Sequence, residues 1–308
     1  MLALAIAARG TSPAVIDVDD RDPGPGEVRI AVEAASVNGF DMAVAAGYVW
    51  DMMAHTFPVV LGRDFAGTVE RVGDGVEGFA VGDRVAGLIR GPLGAGGIGE
   101  RVVADATSVV TIPAGVTAVQ AAAVGLAGVT ALDVVTALDV QPDDVVLVSG
   151  ATGGVGAFAV QLAARHGARV LGTAAPGEAS GFVASLGATE VVDHTGDLAT
   201  AVRAVAPDGV TKVAHAAGDP AALAALLRPG GHLVSLLGVT ADKVGRDDVT
   251  VTAITSKYTP EKLTGLLDDV AAGRLAVPVA ATHRLRSATD ALTDFGARKL
   301  GKVVVTTT

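Results

Sequence analysis

The chain reads as an α/β protein, a β-rich first region followed by a doubly wound parallel sheet. Three observations carry this. Glycines recur at 62, 67, 73, 75, 78, 82 and 87 between short Val-rich runs, the spacing of a compact barrel-like β unit with tight turns. From Val145 onward, short apolar runs alternate with Ala-rich stretches, and glycines at 167, 187 and 230 follow the helical ones. The run VVLVSGATGGVG at 145–156 is a buried strand, a glycine-dense turn and the start of a helix.

In order, MLALAIAARG lacks a basic region ahead of its apolar run and a clear small-residue cleavage site, so it reads as a first strand. Residues 19–27 are turn chemistry. Val28, Ile30 and Val32 then alternate with Arg29, Ala31 and Glu33, a half-buried strand. Residues 36–58 show no sustained period and read as a loop carrying Asn38, Asp41, Tyr48, Trp50 and His55. Glu100–Ala104 and Ser108–Ile112 are further strands, stopped by Pro113. Thr117-x-x-Gln120 is a capping box ahead of an Ala-rich helix, with a second helix over Gly128–Leu138. Helices are expected at 155–166, 178–186, 197–205, 220–227 and 260–272. Strands are expected at 168–173, 190–193, 212–216, 232–237 and 249–255, with strand material again in VVVTTT near the end. Residues 258–308 are expected to return to the first region. This gives a domain of residues 1–117 completed by 258–308, around a cofactor domain of 118–257.

Composition narrows the function. The 308 residues suit about two domains. Half are hydrophobic but only 3% aromatic, so the core must be Val, Ala and Leu. A net charge of −10 without a basic run argues against a nucleic-acid partner. The absence of cysteine excludes disulfides, thiolate metal sites and cysteine nucleophiles, and fits a cytoplasmic location. Residues 106–132 and 145–164 are uncharged and long enough to span a bilayer. Turn residues divide both, so they are expected to be buried in a folded protein, with no membrane partner.

The 145–156 stretch points to chemistry. Backbone N–H groups at a helix N-terminus lack intrahelical partners, and the helix dipole adds positive charge. A diphosphate can rest there if no side chain blocks it, and Gly153, Gly154 and Gly156 remove those side chains. The motif runs Ala151-x-Gly153-x-x-Gly156, with Ala for the usual first glycine.

Taken together, SVNGFD at 36–41, FPVVLGRDFAGTVERVG at 57–73, VGDRV at 81–85, GERVV at 99–103, GVTAL at 128–132, the glycine turn, GATEVVDH at 187–194, RPGGHLV at 228–234 and GKVVV at 301–305 resemble the medium-chain dehydrogenase/reductases, in their zinc-free quinone oxidoreductase branch. The resemblance implies a GroES-like catalytic domain, a Rossmann domain and a cleft between them. It implies a homodimer through the edge strand of the cofactor domain, where VTVTAIT at 249–255 is uncharged and β-prone. Zinc members carry Cys on the first loop and Gly-His-Glu in the second motif. Here those places read Asn38-Gly-Phe-Asp41 and Gly62-Arg63-Asp64, so no metal is expected.

Without a Lewis acid, a quinone or an α,β-unsaturated carbonyl is the fitting hydride acceptor, because its own conjugation spreads the developing charge. An enoyl-thioester reductase is the alternative acceptor class. A nucleotide-binding structural or assembly protein is the alternative of another kind. NAD-binding folds place an acid at the end of the second strand. Here that strand ends Leu171-Gly-Thr-Ala-Ala175, with nothing to repel a 2′-phosphate, so NADPH is expected.

The resemblance assigns the cofactor to Gly150, Ala151, Thr152, Gly153, Gly154, Val155 and Gly156. It adds Thr173 and Ala174 at the second strand, His194 after the third, Ala217, Leu237, Gly238, Thr130, Asn38 and Lys302. Lys302 is also placed to pair with Asp64, or to be a solvated lysine. Asn38 sits by the nicotinamide in the family and is the first catalytic candidate, with a loop-stabilising role as the alternative. The family's Tyr two residues after the loop Asp is Ala43 here, which leaves Tyr48 as catalytic proton donor or packing aromatic, with His55 and Arg63 as weaker candidates.

Overall fold

The computed structural model describes residues 1–297 and 300–307. The chain divides into two compact units, Met1–Leu126 with Tyr258–Thr308, and Ala127–Lys257.

The first unit begins with β1 (Leu2–Ile6), β2 (Ala14–Asp17), β3 (Glu27–Val37), α1 (Gly39–Ala45), β4 (Val59–Val60) and β5 (Asp64–Val72). It continues through β6 (Arg84–Leu88), β7 (Arg101–Asp105) and β8 (Val109–Thr111) into α2 (Ala118–Leu138), which leads to the second unit. The second unit is β9 (Val145–Ser149), α3 (Gly154–Arg165), β10 (Arg169–Ala174), α4 (Glu178–Ser185), β11 (Glu190–Asp193), α5 (Leu198–Val205), β12 (Val210–His215), α6 (Pro220–Ala224), β13 (Leu227–Ser235) and β14 (Thr250–Ala253). The chain then completes the first unit with α7 (Pro260–Ala271), β15 (Val279–Arg284), α8 (Ala288–Gly296) and β16 (Lys302–Thr306).

In the first unit, β3 is the longest strand and organises a seven-stranded sheet, β15-β16-β3-β5-β6-β8, with β7 also on β3. β16 joins β3 antiparallel, Val303 opposite Val37 and Val305 opposite Ala35. Its core is small and aliphatic, built on Ile30, Val32, Phe65, Val69, Val85 and Val303. Gly67 is required there, because a Cβ would fall 2.0 Å from the Ala31 carbonyl oxygen across the sheet.

The second unit is a fully parallel six-stranded sheet ordered β11-β10-β9-β12-β13-β14. The order reverses between β9 and β12, the switch point at whose carboxyl ends such sheets bind nucleotides. The GroES-like and Rossmann architecture expected from the sequence is the one found.

Several elements differ from the expectations. Residues 36–58 are not all loop. β3 runs to Val37 and α1 follows at once, its entry fixed by the Asp41 carboxylate accepting the Asn38 N–H at 2.8 Å. At seven residues, α1 is too short to show a helical period. The two helices expected over 118–138 follow one another directly, and they divide at the non-helical Gly125 (φ −25°, ψ −106°) rather than at Gly128. The helix expected to reach 227 ends at Ala224, and Arg228–Gly231 bulge out of β13 where its register on β12 shifts. α2 is long and apolar enough to cross a membrane, and 67% of its most apolar window is buried within the protein. The other uncharged stretch divides into β9 and α3.

Candidate functional site

The glycine turn is built by close backbone approach. Gly150 ends β9 at φ +82°, and the Gly153 N–H donates to its carbonyl at 3.0 Å. A Cβ on Gly156 would lie 2.1 Å from that same oxygen, so only glycine lets the first turn of α3 pack onto the bend. Ala151, the departure from three glycines, is wholly buried, and a Cβ on Gly172 of β10 would come 3.3 Å from its methyl group. The turn at Thr152–Val155 is only partly covered. Free N–H groups at the start of a twelve-residue helix, with no side chain over them, fit a nucleotide diphosphate.

The flanking residues fall into two groups. Ala174 ends β10 and is buried, and no carboxylate stands in 171–175. Thr173 is also buried, and its Oγ accepts the Gly150 N–H at 3.0 Å. Its hydroxyl oxygen therefore braces the glycine turn from the neighbouring strand. His194, Ala217, Leu237 and Gly238 lie exposed, with Leu237 58% accessible. Thr130 is buried on α2.

In the first unit the sequence-selected residues converge on a buried polar cluster. Asp64 is fully buried at the start of β5. It accepts the Ser36 N–H and hydroxyl at 2.7 Å each, and the Asn38 Nδ2 at 2.9 Å. The kink at Gly125 turns the Leu126 N–H toward the same carboxylate at 3.4 Å, and a Cβ on Gly125 would come within 2.6 Å of the Asp64 side chain. Asn38 Nδ2 also donates to the Ser36 carbonyl at 3.1 Å. Lys302 is 2% exposed, and its Nζ donates to Asn38 Oδ1 at 2.6 Å and to the Val37 carbonyl at 3.1 Å.

Three of the sequence-selected residues find their places here. Lys302 is not solvated. It opens β16, and burial lowers its pKa while Asp64 and Asp41 hold it up. Asn38 spends both amide hydrogens inside this unit, so it braces the loop. The guanidinium of Arg63, a weaker catalytic candidate, lies 4.5 Å over the Phe40 ring and donates to the Ile89 carbonyl at 3.2 Å.

Asp41 accepts N–H groups from Asn38 and Gly62 at 2.8 Å each, yet burial pushes its pKa from 3.8 up to about 6. An acid raised on folding binds its proton in the folded chain first, so its contribution to stability falls as pH rises from about 4 through 6. Urea titrations across that range are expected to show this fall in the wild type and not in Asp41→Asn. Equal pH slopes would contradict it.

Tyr48, on the turn after α1, is 77% exposed. Trp50 is buried instead, in an aromatic cluster with His55 and Phe57 at ring separations of 5.2 and 5.3 Å. Sequence reading missed Ser36 and His215. Asp64, the first residue of β5, entered the sequence reading only as a partner for Lys302. Among the described residues, no group of three or more His, Cys, Asp or Glu could hold a metal ion.

Residues 24–114 match the alcohol dehydrogenase GroES-like domain, and 154–258 the zinc-binding dehydrogenase family. A chloroplast envelope quinone oxidoreductase homolog of Arabidopsis thaliana is 36% identical over 201 residues, 63% of this chain and 60% of its own length. The pikromycin polyketide synthase component PikAII of Streptomyces venezuelae is 35% identical over 302 residues, 92% of this chain but 8% of that protein. The chain thus spans less than two thirds of both relatives. A mycobacterial protein solved in complex with NADPH is 29% identical, with a TM-score of 0.86 over 99% of both chains. With two domain matches in family order and this fold, the chain belongs to the medium-chain dehydrogenase/reductase superfamily. An NAD-dependent alcohol dehydrogenase of known structure is 28% identical, with a TM-score of 0.89 over the whole of both chains.

Proposed function

We propose that the protein transfers hydride from NADPH to a quinone or α,β-unsaturated carbonyl without zinc. The carrying observation is the glycine bend at 150–156 beside a strand, β10, that ends without a carboxylate. The bend's N–H groups and the α3 dipole hold the diphosphate, and Thr173 keeps the bend in shape. The missing acid leaves room for a 2′-phosphate. Similarity to a protein solved with NADPH supports the same choice. When bound, the reduced nicotinamide supplies the hydride. Much of the rate then comes from fixed geometry, a contribution on the order of 7–11 kcal/mol. The proton for the acceptor oxygen comes from Tyr48 or from water.

A panel of quinones, enones and enoyl thioesters, assayed with each nucleotide, tests this. Turnover of quinones or enones with higher kcat/KM for NADPH than for NADH is expected. A clear NADH preference overturns the cofactor assignment. Dominant turnover of enoyl thioesters favours the second acceptor class, which the likeness to a polyketide synthase over nearly the whole chain supports. Nucleotide binding without turnover of any acceptor favours a structural role.

We further propose a homodimer through β14, which lies at the edge of the parallel sheet with no partner strand on its outer side among the described residues. Light scattering at micromolar concentration is expected to give twice the chain mass, and a monomer would contradict the pairing.

A further inference from the structure

Three strands of the second unit end at the switch point in a buried polar residue: Ser149 on β9, His215 on β12 and Ser235 on β13. His215 is 1% exposed. Its Nε2 lies 3.1 Å from the Gly218 carbonyl oxygen and its Nδ1 3.0 Å from Ser235 Oγ. A carbonyl only accepts, so Nε2 carries the proton. Ser235 Oγ accepts the backbone N–H groups of Leu237 at 3.1 Å and Val239 at 3.4 Å, which leaves its own hydrogen for His215 Nδ1. The ring therefore joins the segment after β12 to the segment after β13, one bond donated and one accepted.

The first of these segments touches the glycine bend. Ser149 Oγ donates to the Ala217 carbonyl at 2.6 Å, and a Cβ on Gly150 would meet the Ala217 methyl at 3.1 Å. Backbone bonds hold the start of each segment, the Ala216 N–H on the Ser149 carbonyl at 3.2 Å and the Leu236 N–H on the His215 carbonyl at 3.0 Å, and Gly218 and Gly238 beyond them stand at positive φ, +90° and +70°. Past those bonds, side chains of the strand ends reach both segments.

We propose that His215 is a positioning residue for the nicotinamide nucleotide. It pins residues 216–218 and 236–239 in the arrangement that flanks the bound cofactor. The proposal rests on reading the glycine bend as the nucleotide site. Without the ring, both segments must be ordered when the nucleotide arrives, and affinity falls.

The test uses the whole chain. NADPH affinity is measured by fluorescence titration, and amide exchange at Leu237 and Val239 is measured without nucleotide. His215→Leu is expected to weaken NADPH binding about tenfold, to speed exchange at both amides, and to raise the KM for NADPH more than it lowers kcat. His215→Gln, which offers one N–H to Gly218 and one acceptor to Ser235, is expected to restore most of the affinity. If His215→Leu fails to fold, Ser235→Ala takes its place, with weaker binding and faster exchange expected. A wild type that binds NADPH and a His215→Leu or Ser235→Ala variant within twofold of it would overturn the proposal. So would a Gln variant as impaired as Leu, which would assign the effect to ring volume. A wild type that binds neither NADPH nor NADH overturns the reading of the bend itself.

Discussion

Lys302→Met is expected to lower folding stability by about 3–5 kcal/mol, the usual cost of breaking a buried charge pair by removing one member. The Lys302 ammonium lies beneath the surface, bonded to Asn38 Oδ1, with the Asp64 and Asp41 carboxylates acting on it. Its removal takes the buried ammonium away from both acids and frees one end of the Asn38 amide. Adding Asp64→Asn to the same chain is expected to recover part of the loss, because the uncompensated charge goes with it. Chemical denaturation of the wild type, both single variants and the double variant measures the coupling. A loss below about 1 kcal/mol for Lys302→Met would place the lysine among ordinary surface charges.

Gly156→Ala is expected to act on the other unit. The new methyl carbon would sit 2.1 Å from the Gly150 oxygen and 2.8 Å from the Ala151 Cα, both backbone atoms that cannot rotate away. The bend must open, and its N–H groups lose their convergence on the diphosphate. Overpacking of this kind costs about 1–3 kcal/mol, and if that strain falls on the bound state, affinity drops by roughly tenfold to a hundredfold. The control is Gly265→Ala on α7, an exposed position where an added Cβ meets nothing within 4 Å. NADPH titration of both variants reads the difference. Equal affinities would mean that the nucleotide does not use this bend.

What the sequence revealed was periodic or local. The alternation around Val28–Ala34, the Thr117–Gln120 box and the β9–bend–α3 junction each involve neighbours a few residues apart, and each found its place in the fold. α1 escaped because one short turn of helix leaves no repeat, although Asn38-x-x-Asp41 carried its capping signal. The polar cluster was legible only through the family resemblance, which put Lys302 near Asp64, and not through any spacing. Lys302 and Asn38 are 264 positions apart and meet only because β16 pairs with β3. No spacing in the chain announces that. His215 was invisible as a link because its partners, Gly218 and Ser235, lie on separate segments. Thr173 was legible as a residue near the nucleotide, but its bond to Gly150 depends on the parallel register of β9 and β10.

The most direct measurement is the titration of the purified chain with NADPH, followed by quenching of protein fluorescence or by calorimetry. Saturable uptake of one nucleotide per chain, lost or strongly weakened in Gly156→Ala and kept in Gly265→Ala, is the predicted result. A chain that takes up neither NADPH nor NADH in a saturable way would contradict the account at its base.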